Sequence, residues 1–244
     1  MQGLRKPVIR ACGEARGKYI ARQDVGDISN PSRFEKQIQL FERNADLVIA
    51  SCWSKMIGPE GEILAENKRN DDIETSTMDL SYKMLGAPHH GTVMFSTEAY
   101  KNVGGYREEF YYAQDLDLWL RLSRTGSFSY VPEILYIYKI SYESISCAKS
   151  DIQKCFSDIC KACNTARITG KSEDLFLERA RILSEQIRTG KCTRGKKNWQ
   201  TDYYIGSCLL KRKDKKSTKY LLKAFKKNVF NPYIIIKLIK AFLL

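Results

Sequence analysis

No stretch of about 18 unbroken apolar residues occurs in this 244-residue chain, so no membrane-spanning helix is expected. The first residues lack the apolar run of a secretory leader. Acids are nearly absent from one region: residues 191–244 hold 15 Lys and Arg against only Asp202 and Asp214. The net charge of +13 therefore belongs to that tail, and the preceding residues are neutral, with 26 bases and 26 acids. No strict internal repeat is found. What is present is a hydrophobic fraction of 43% and 14 tyrosines, which indicates an ordered, cored protein and excludes a disordered one. The length fits one large domain or two small ones.

A tail of this charge seeks phosphates, on anionic lipid head groups or on nucleic acid, unless it is a solvated helix face. Its aromatics, Trp199, Tyr203, Tyr204, Tyr220 and Phe225, recur at helical spacing, which suits core positions better than base-stacking platforms. Nucleic acid is therefore the least favoured partner. Eight cysteines are present. Cys155, Cys160 and Cys163 have the C-x4-C-x2-C spacing of one iron–sulfur class, with Cys192 as a fourth candidate. They lie in a helical pattern with Ile152, Phe156 and Ile159, where positions five and eight apart diverge around the helix. Buried free thiols in a reducing cytosol are the preferred reading.

The periodicity predicts a helix over Cys12 to Arg16 ended by Gly17, a short strand at Tyr19 to Arg22, and a turn at Asp24-Val25-Gly26-Asp27. Asn30-Pro31 starts a helix whose expected apolar face is Phe34, Ile38 and Phe41. Asp46 to Trp53 reads as a buried strand and Gly58 to Glu62 as a hairpin turn. Residues 66–85 read as a polar, mobile loop. Gly91 to Phe95 is an expected strand, Thr97 to Asn102 a short helix, and Phe128–Val131 and Ile134–Ile140 two extended pieces around Pro132. Beyond residue 147 only helices are expected, over 149–168, 172–189, 200–212, 216–228 and 231–243. The last of these, apolar but carrying Lys237 and Lys240, suits either a membrane surface or the cap of a helical bundle; capping is preferred.

Tyr106 to Arg121 carries the strongest chemical signal. Asp115 and Asp117 stand where a loop turns into an amphipathic helix with Leu116, Leu118, Trp119, Leu120 and Leu122, stopped by Gly126. A carboxylate at a helix N-terminus is held ionised by free backbone N–H groups and the dipole, as a cap or as a general base.

Five phrases together give a resemblance. Ala15-Arg16-Gly17-Lys18-Tyr19-Ile20-Ala21-Arg22-Gln23-Asp24-Val25-Gly26-Asp27, Pro31 to Gln37, His90-Gly91-Thr92-Val93-Met94-Phe95, Val103-Gly104-Gly105-Tyr106-Arg107 with Ala113 to Arg121, and Leu135-Tyr136-Ile137-Tyr138 with Ser144-Ile145-Ser146 resemble, in order, the phrases of family-2 glycosyltransferases. The resemblance covers residues 13–146. It implies an α/β architecture, a partial glycosyltransferase-A mixed sheet (residues 1–146); the basic helical region (147–244), read from its periodicity, lies outside the resemblance. It also implies an inverting, metal-assisted transfer from a nucleotide-sugar to a glycan or lipid-linked acceptor, as in polysaccharide biosynthesis at the cell envelope. The expected location is the cytoplasm, peripheral at the inner face of an anionic membrane. Asp24 and Asp27 match the acidic turn that binds the donor and a Mg²⁺ or Mn²⁺ ion. Asp115 matches the base, Asp117 is second choice, and His90 and Gly91 line the acceptor side unless His90 is a structural histidine.

Three departures accompany this match. Gly26 replaces the middle acid of the turn. Ser141 and Ile137 stand where His and a basic residue are common. Asp24 lies only 24 residues from the start, where the family has about three earlier strands; their absence is expected to expose Tyr19-Ile20 and Leu47-Val48-Ile49-Ala50. Met1-Gln2-Gly3-Leu4 reads like the middle of a family phrase, as in a fragment. The alternative to a transferase is an inactive remnant serving as a binding or scaffold module.

Overall fold

A computed structural model describes residues 5–140, 142, 150–191 and 199–244. In chain order the elements are α1 (Arg5–Glu14), β1 (Tyr19–Ala21), β2 (Ile28–Ser29), α2 (Arg33–Arg43), β3 (Leu47–Ile57), β4 (Ile63–Asn67), α3 (Ile73–Ser81), β5 (Met94–Ser96), α4 (Thr97–Asn102), α5 (Gln114–Leu122) and β6 (Ser127–Lys139). Helices α6 (Ser150–Ile168), α7 (Asp174–Arg188), α8 (Trp199–Lys211), α9 (Ser217–Lys227) and α10 (Pro232–Phe242) follow. The architecture is thus mixed α/β followed by helices, as the sequence leads one to expect. Ser141, Ser144 to Ser146, Cys147, Cys192 and residues 1–4 lie outside the described residues.

The six strands form one sheet in the order β1-β5-β3-β6-β2, with β4 on β3. Short β5 runs antiparallel to both neighbours, pairing Ile20 with Phe95 on one side and Ile49 with Phe95 on the other. Phe95 and Ile49 are fully buried with Trp119, Phe110, Phe128 and Phe156 in the main core. A second cluster packs Phe41, Leu47, Ala50 and Met94, with Tyr19 stacked on Phe41 at 4.3 Å. The apolar faces expected to be exposed are therefore covered: Ile20, Leu47, Ile49 and Ala50 are all buried, beneath Cys12 of α1 and Phe41 of α2.

Helix α2 corrects its expected face. Phe34 points outward, while Arg33, Gln37 and Phe41 are the buried residues. Residues 66–85 are no loop throughout: Asp72 caps α3 by accepting from the Thr75 N–H at 2.8 Å, and Leu80 is fully buried. The two pieces around Pro132 are one strand, β6.

Two compact units result. The first is Met1–Ser54, Lys68–Tyr136 and Asp151–Thr193; the second is Lys55–Asn67, Ile137–Ser150 and Arg194–Leu244. This division differs from a boundary at residue 146. Helices α6 and α7 contribute Phe156, Cys160 and Ile187 to the main core of the first unit. In the second, Met56 and Leu64 of the β3–β4 hairpin pack with Ile205, Leu209 and Tyr220. Cys160 and Cys163 are buried free thiols and Cys155 is exposed, all on α6, so these three do not converge on a cluster.

Candidate active site

Strand β1 ends at Ala21, and the chain then makes a tight turn in which the Asp27 N–H donates to the Asp24 carbonyl at 3.3 Å. Gly26 has φ +87°, a region that disfavours side chains, and no heavy atom lies within 4 Å of where its Cβ would be. The backbone of the turn therefore accounts for a glycine where an acid was expected. Tyr136 of β6 clamps this turn. Its Oη accepts from the Asp24 N–H at 3.1 Å and donates to Asp27 Oδ2 at 2.8 Å. That reach needs Gly91, since a Cβ there would fall 2.1 Å from Tyr136 Oη. Gly91 thus gives room to the clamp.

Beneath the turn lies a buried polar frame. Arg33 donates to the carbonyls of Gly91 at 2.5 Å and Arg22 at 2.9 Å. Gln37 donates to those of Ala50 at 3.1 Å and Thr92 at 2.8 Å. These bonds satisfy backbone carbonyls beneath the turn, and they explain why α2 turns polar residues inward.

Asp24, Asp27 and His89 each bring one ligand atom within 4.8 Å of the others. Two carboxylate oxygens and one imidazole nitrogen are a donor set suited to a divalent cation such as Mn²⁺ or Mg²⁺. The sequence points to the two acids but not to His89; its adjacency to His90 in the His-His-Gly-Thr run is the signal that could have found it. His90 has another task. Its Nε2 accepts from Arg22 Nε at 3.1 Å and lies 2.7 Å from Tyr106 Oη, with the Trp119 ring 5.9 Å away. Burial and the Arg22 charge push its pKa down to about 3, so it stands neutral and orients Arg22, which in turn donates to Asp24 Oδ1 at 3.1 Å. This is the structural-histidine reading of His90.

Asp115 sits in the first turn of α5, whose preceding residue, Ala113, has φ 55°. The backbone N–H groups of Leu116 and of Asp115 itself favour its ionised form. Burial raises its pKa, and those N–H groups, His89 and Arg22 partly offset the rise. Asp115 is therefore within electrostatic reach of the acidic turn's His89 and Arg22, and a carboxylate of raised basicity is what proton abstraction from a hydroxyl needs. Asp117, two residues on and toward the opposite side of α5, is fully buried. Its Oδ2 accepts from Arg121 Nε at 3.0 Å and Nη2 at 2.7 Å, and Arg107 lies 3.7 Å from Oδ1. Arg121 also donates to the Val103 and Gly105 carbonyls, at 2.7 Å each. Asp117 thus holds the Gly104-Gly105 turn against α5, and the sequence's second choice of base occupies a buried ion pair.

No family model matches the chain. Among curated proteins it is 31% identical over 149 residues to an uncharacterized glycosyltransferase of Methanocaldococcus jannaschii, covering 61% of this chain and 51% of that protein. It is 31% identical over 146 residues to a chondroitin synthase of Escherichia coli, covering 60% of this chain and 20% of that one. It is 26% identical over 124 residues to the amylovoran biosynthesis glycosyltransferase AmsE of Erwinia amylovora, covering 51% and 45%. The chain spans about half the length, or less, of the relatives it matches.

Proposed function

We propose, from the homology of this chain to glycosyltransferases, that it carries the catalytic half of a family-2, glycosyltransferase-A enzyme moving a sugar from a nucleotide-sugar to a hydroxyl of a glycan or lipid-linked acceptor. The observation that carries this reading is the convergence of Asp24, Asp27 and His89 at the end of β1, with Asp115 in the electrostatic reach of Arg22. Asp24, Asp27 and His89 would hold a Mg²⁺ or Mn²⁺ ion, which when bound neutralises a diphosphate leaving group. Tyr136 and Arg22 fix the two carboxylates so that no reorganisation is needed when donor binds. Asp115 takes the proton of the acceptor hydroxyl as its oxygen attacks the anomeric carbon from the face opposite the leaving diphosphate, inverting the configuration. Arg33 and Gln37 keep the loop of Gly91 and Thr92 in place beside this centre.

Lipid-linked acceptors would set the reaction beside an anionic bilayer, and the basic helices of the second unit suit that setting. A second reading, a binding module without turnover, is favoured by Gly26, which removes the middle acid from the turn. Calorimetric titration of UDP- and GDP-sugars into the chain tests the donor site. Binding is expected to need Mn²⁺ and to weaken about tenfold or more in Asp24→Asn or His89→Ala. Binding indifferent to Mn²⁺ and to both substitutions would overturn the donor-site assignment.

A further inference from the structure

Helix α10 is apolar on two opposite sides, and one helix in a water-soluble bundle needs only one. Its inner side is settled: Ile234 and Ala241 are buried, at 0% and 5% exposure. Lys237 is also turned inward, donating to Ser207 Oγ at 2.7 Å and lying 4.5 Å from the Tyr203 ring. Its outer side carries Ile235, Ile236, Ile239, Phe242 and Leu243 at helical spacing. Ile236, Ile239 and Leu243 are 50%, 57% and 81% exposed. Lys240 is exposed on the flank of that strip. Ordinary surface positions take polar residues, so a contiguous strip of this kind marks an interaction surface.

We propose that the outer face of α10 docks on an anionic lipid bilayer, lying in the plane of the head groups. Three observations select this occupant. The described part of the tail, residues 199–244, has eleven Lys and Arg against two acids, so its charge complements an anionic surface. The bases that precede α9, Lys211, Arg212, Lys213, Lys215 and Lys216, are all exposed. A second copy would bring two such positive regions together, which like-charge repulsion opposes. Nucleic acid would satisfy the lysines but leave three isoleucines without a partner. No described helix is long and apolar enough to cross a membrane, so the helix lies along the surface with its apolar side in the acyl boundary and its basic flank at the phosphates. The docking does not depend on the transfer reading, and its experiment measures no transfer.

The experiment is co-sedimentation of the full chain with vesicles of phosphatidylcholine alone and with about 30% phosphatidylglycerol, near 0.1 M NaCl. Binding to the anionic vesicles only is expected. Ile236→Glu with Ile239→Glu should lower the partition roughly tenfold or more, because two apolar side chains are lost from the docking face and two negative charges are set against anionic head groups. Both residues face outward, so the melting temperature should not move. Leu243→Glu lies past the last helical residue and probes the same strip if the double variant melts early. Absence of binding, equal binding to neutral vesicles, or undiminished binding by the variants would overturn the proposal. So would a concentration-dependent dimer that the double variant abolishes.

Discussion

Asp115 is placed where function and stability oppose each other. Burial raises its pKa, so its protonated form contributes stability that is fully present below the ordinary carboxylate range and is lost as pH rises through the folded value. At neutral pH the ionised group is a cost to the fold and an asset to a base. Asp115→Asn should therefore abolish turnover, leave nucleotide-sugar affinity nearly unchanged, and raise the melting temperature at pH 7 by about 2–5 °C. Normal turnover by this variant would remove Asp115 from the mechanism. His90 has the opposite dependence. Its folded pKa of about 3 lies below the unfolded value, so the unfolded chain binds a proton first as pH falls. Stability is intact above about pH 6.5 and declines by up to about 1.4 kcal/mol per pH unit toward pH 3. Urea unfolding of His90→Gln across that window should show a shallower acid decline than the parent; equal slopes would mean that His90 titrates normally in the fold.

The acidic turn is held in place by other parts of the fold that meet at it. Tyr136 comes from β6, Gly91 and His89 from the segment before β5, and Arg33 from α2. Tyr136→Phe keeps the ring and its packing over Arg33 at 5.0 Å but deletes the hydroxyl that fixes Asp24 and Asp27. Mn²⁺ affinity should fall roughly tenfold with little change in the unfolding midpoint, as titration by calorimetry and urea melts would report. Unchanged affinity would show that the acids position themselves. This convergence also marks what was legible. Helices α6 to α10 follow a 3.6-residue apolar period, so their spans could be read to within a residue or two. Helix α4 was legible for the same local reasons, with Ser96 capping it at 3.2 Å. Helix α3 was hidden because its signal is a cap at Asp72 and one buried Leu80 rather than an apolar stripe. The inward turn of Arg33 was hidden because its partners are carbonyls 11 and 58 residues away. Asp24, Asp27 and Asp115 stand in local phrases, whereas the fold is what brings His89 to the two acids of the turn.

The sheet as a whole has an unusual edge. Strand β1, three residues long, delivers the chain to the acidic turn, yet among the described residues it pairs only with β5. Edge strands expose unpaired N–H and C=O groups and invite another strand. The matched region covers 51% of the Methanocaldococcus jannaschii relative, so that relative has further chain that could supply such strands. Ligands of open α/β sheets lie across the carboxyl ends of several strands, and a base and ribose need contacts that one short strand does not offer. A fusion that adds the relative's unmatched residues ahead of residue 1 should pair with β1 and tighten nucleotide-sugar binding at least tenfold, about 1.4 kcal/mol, over the 244-residue chain. Calorimetry on the two polypeptides, each with and without Mn²⁺, makes the comparison. Tighter binding that still requires Mn²⁺ would place the donor across both halves, with Asp24, Asp27 and His89 at its diphosphate. Equal affinity would mean that the turn and its clamp make the whole donor site. Failure of both to bind would favour the module without turnover, because the acidic turn would then be intact in geometry and unused in chemistry.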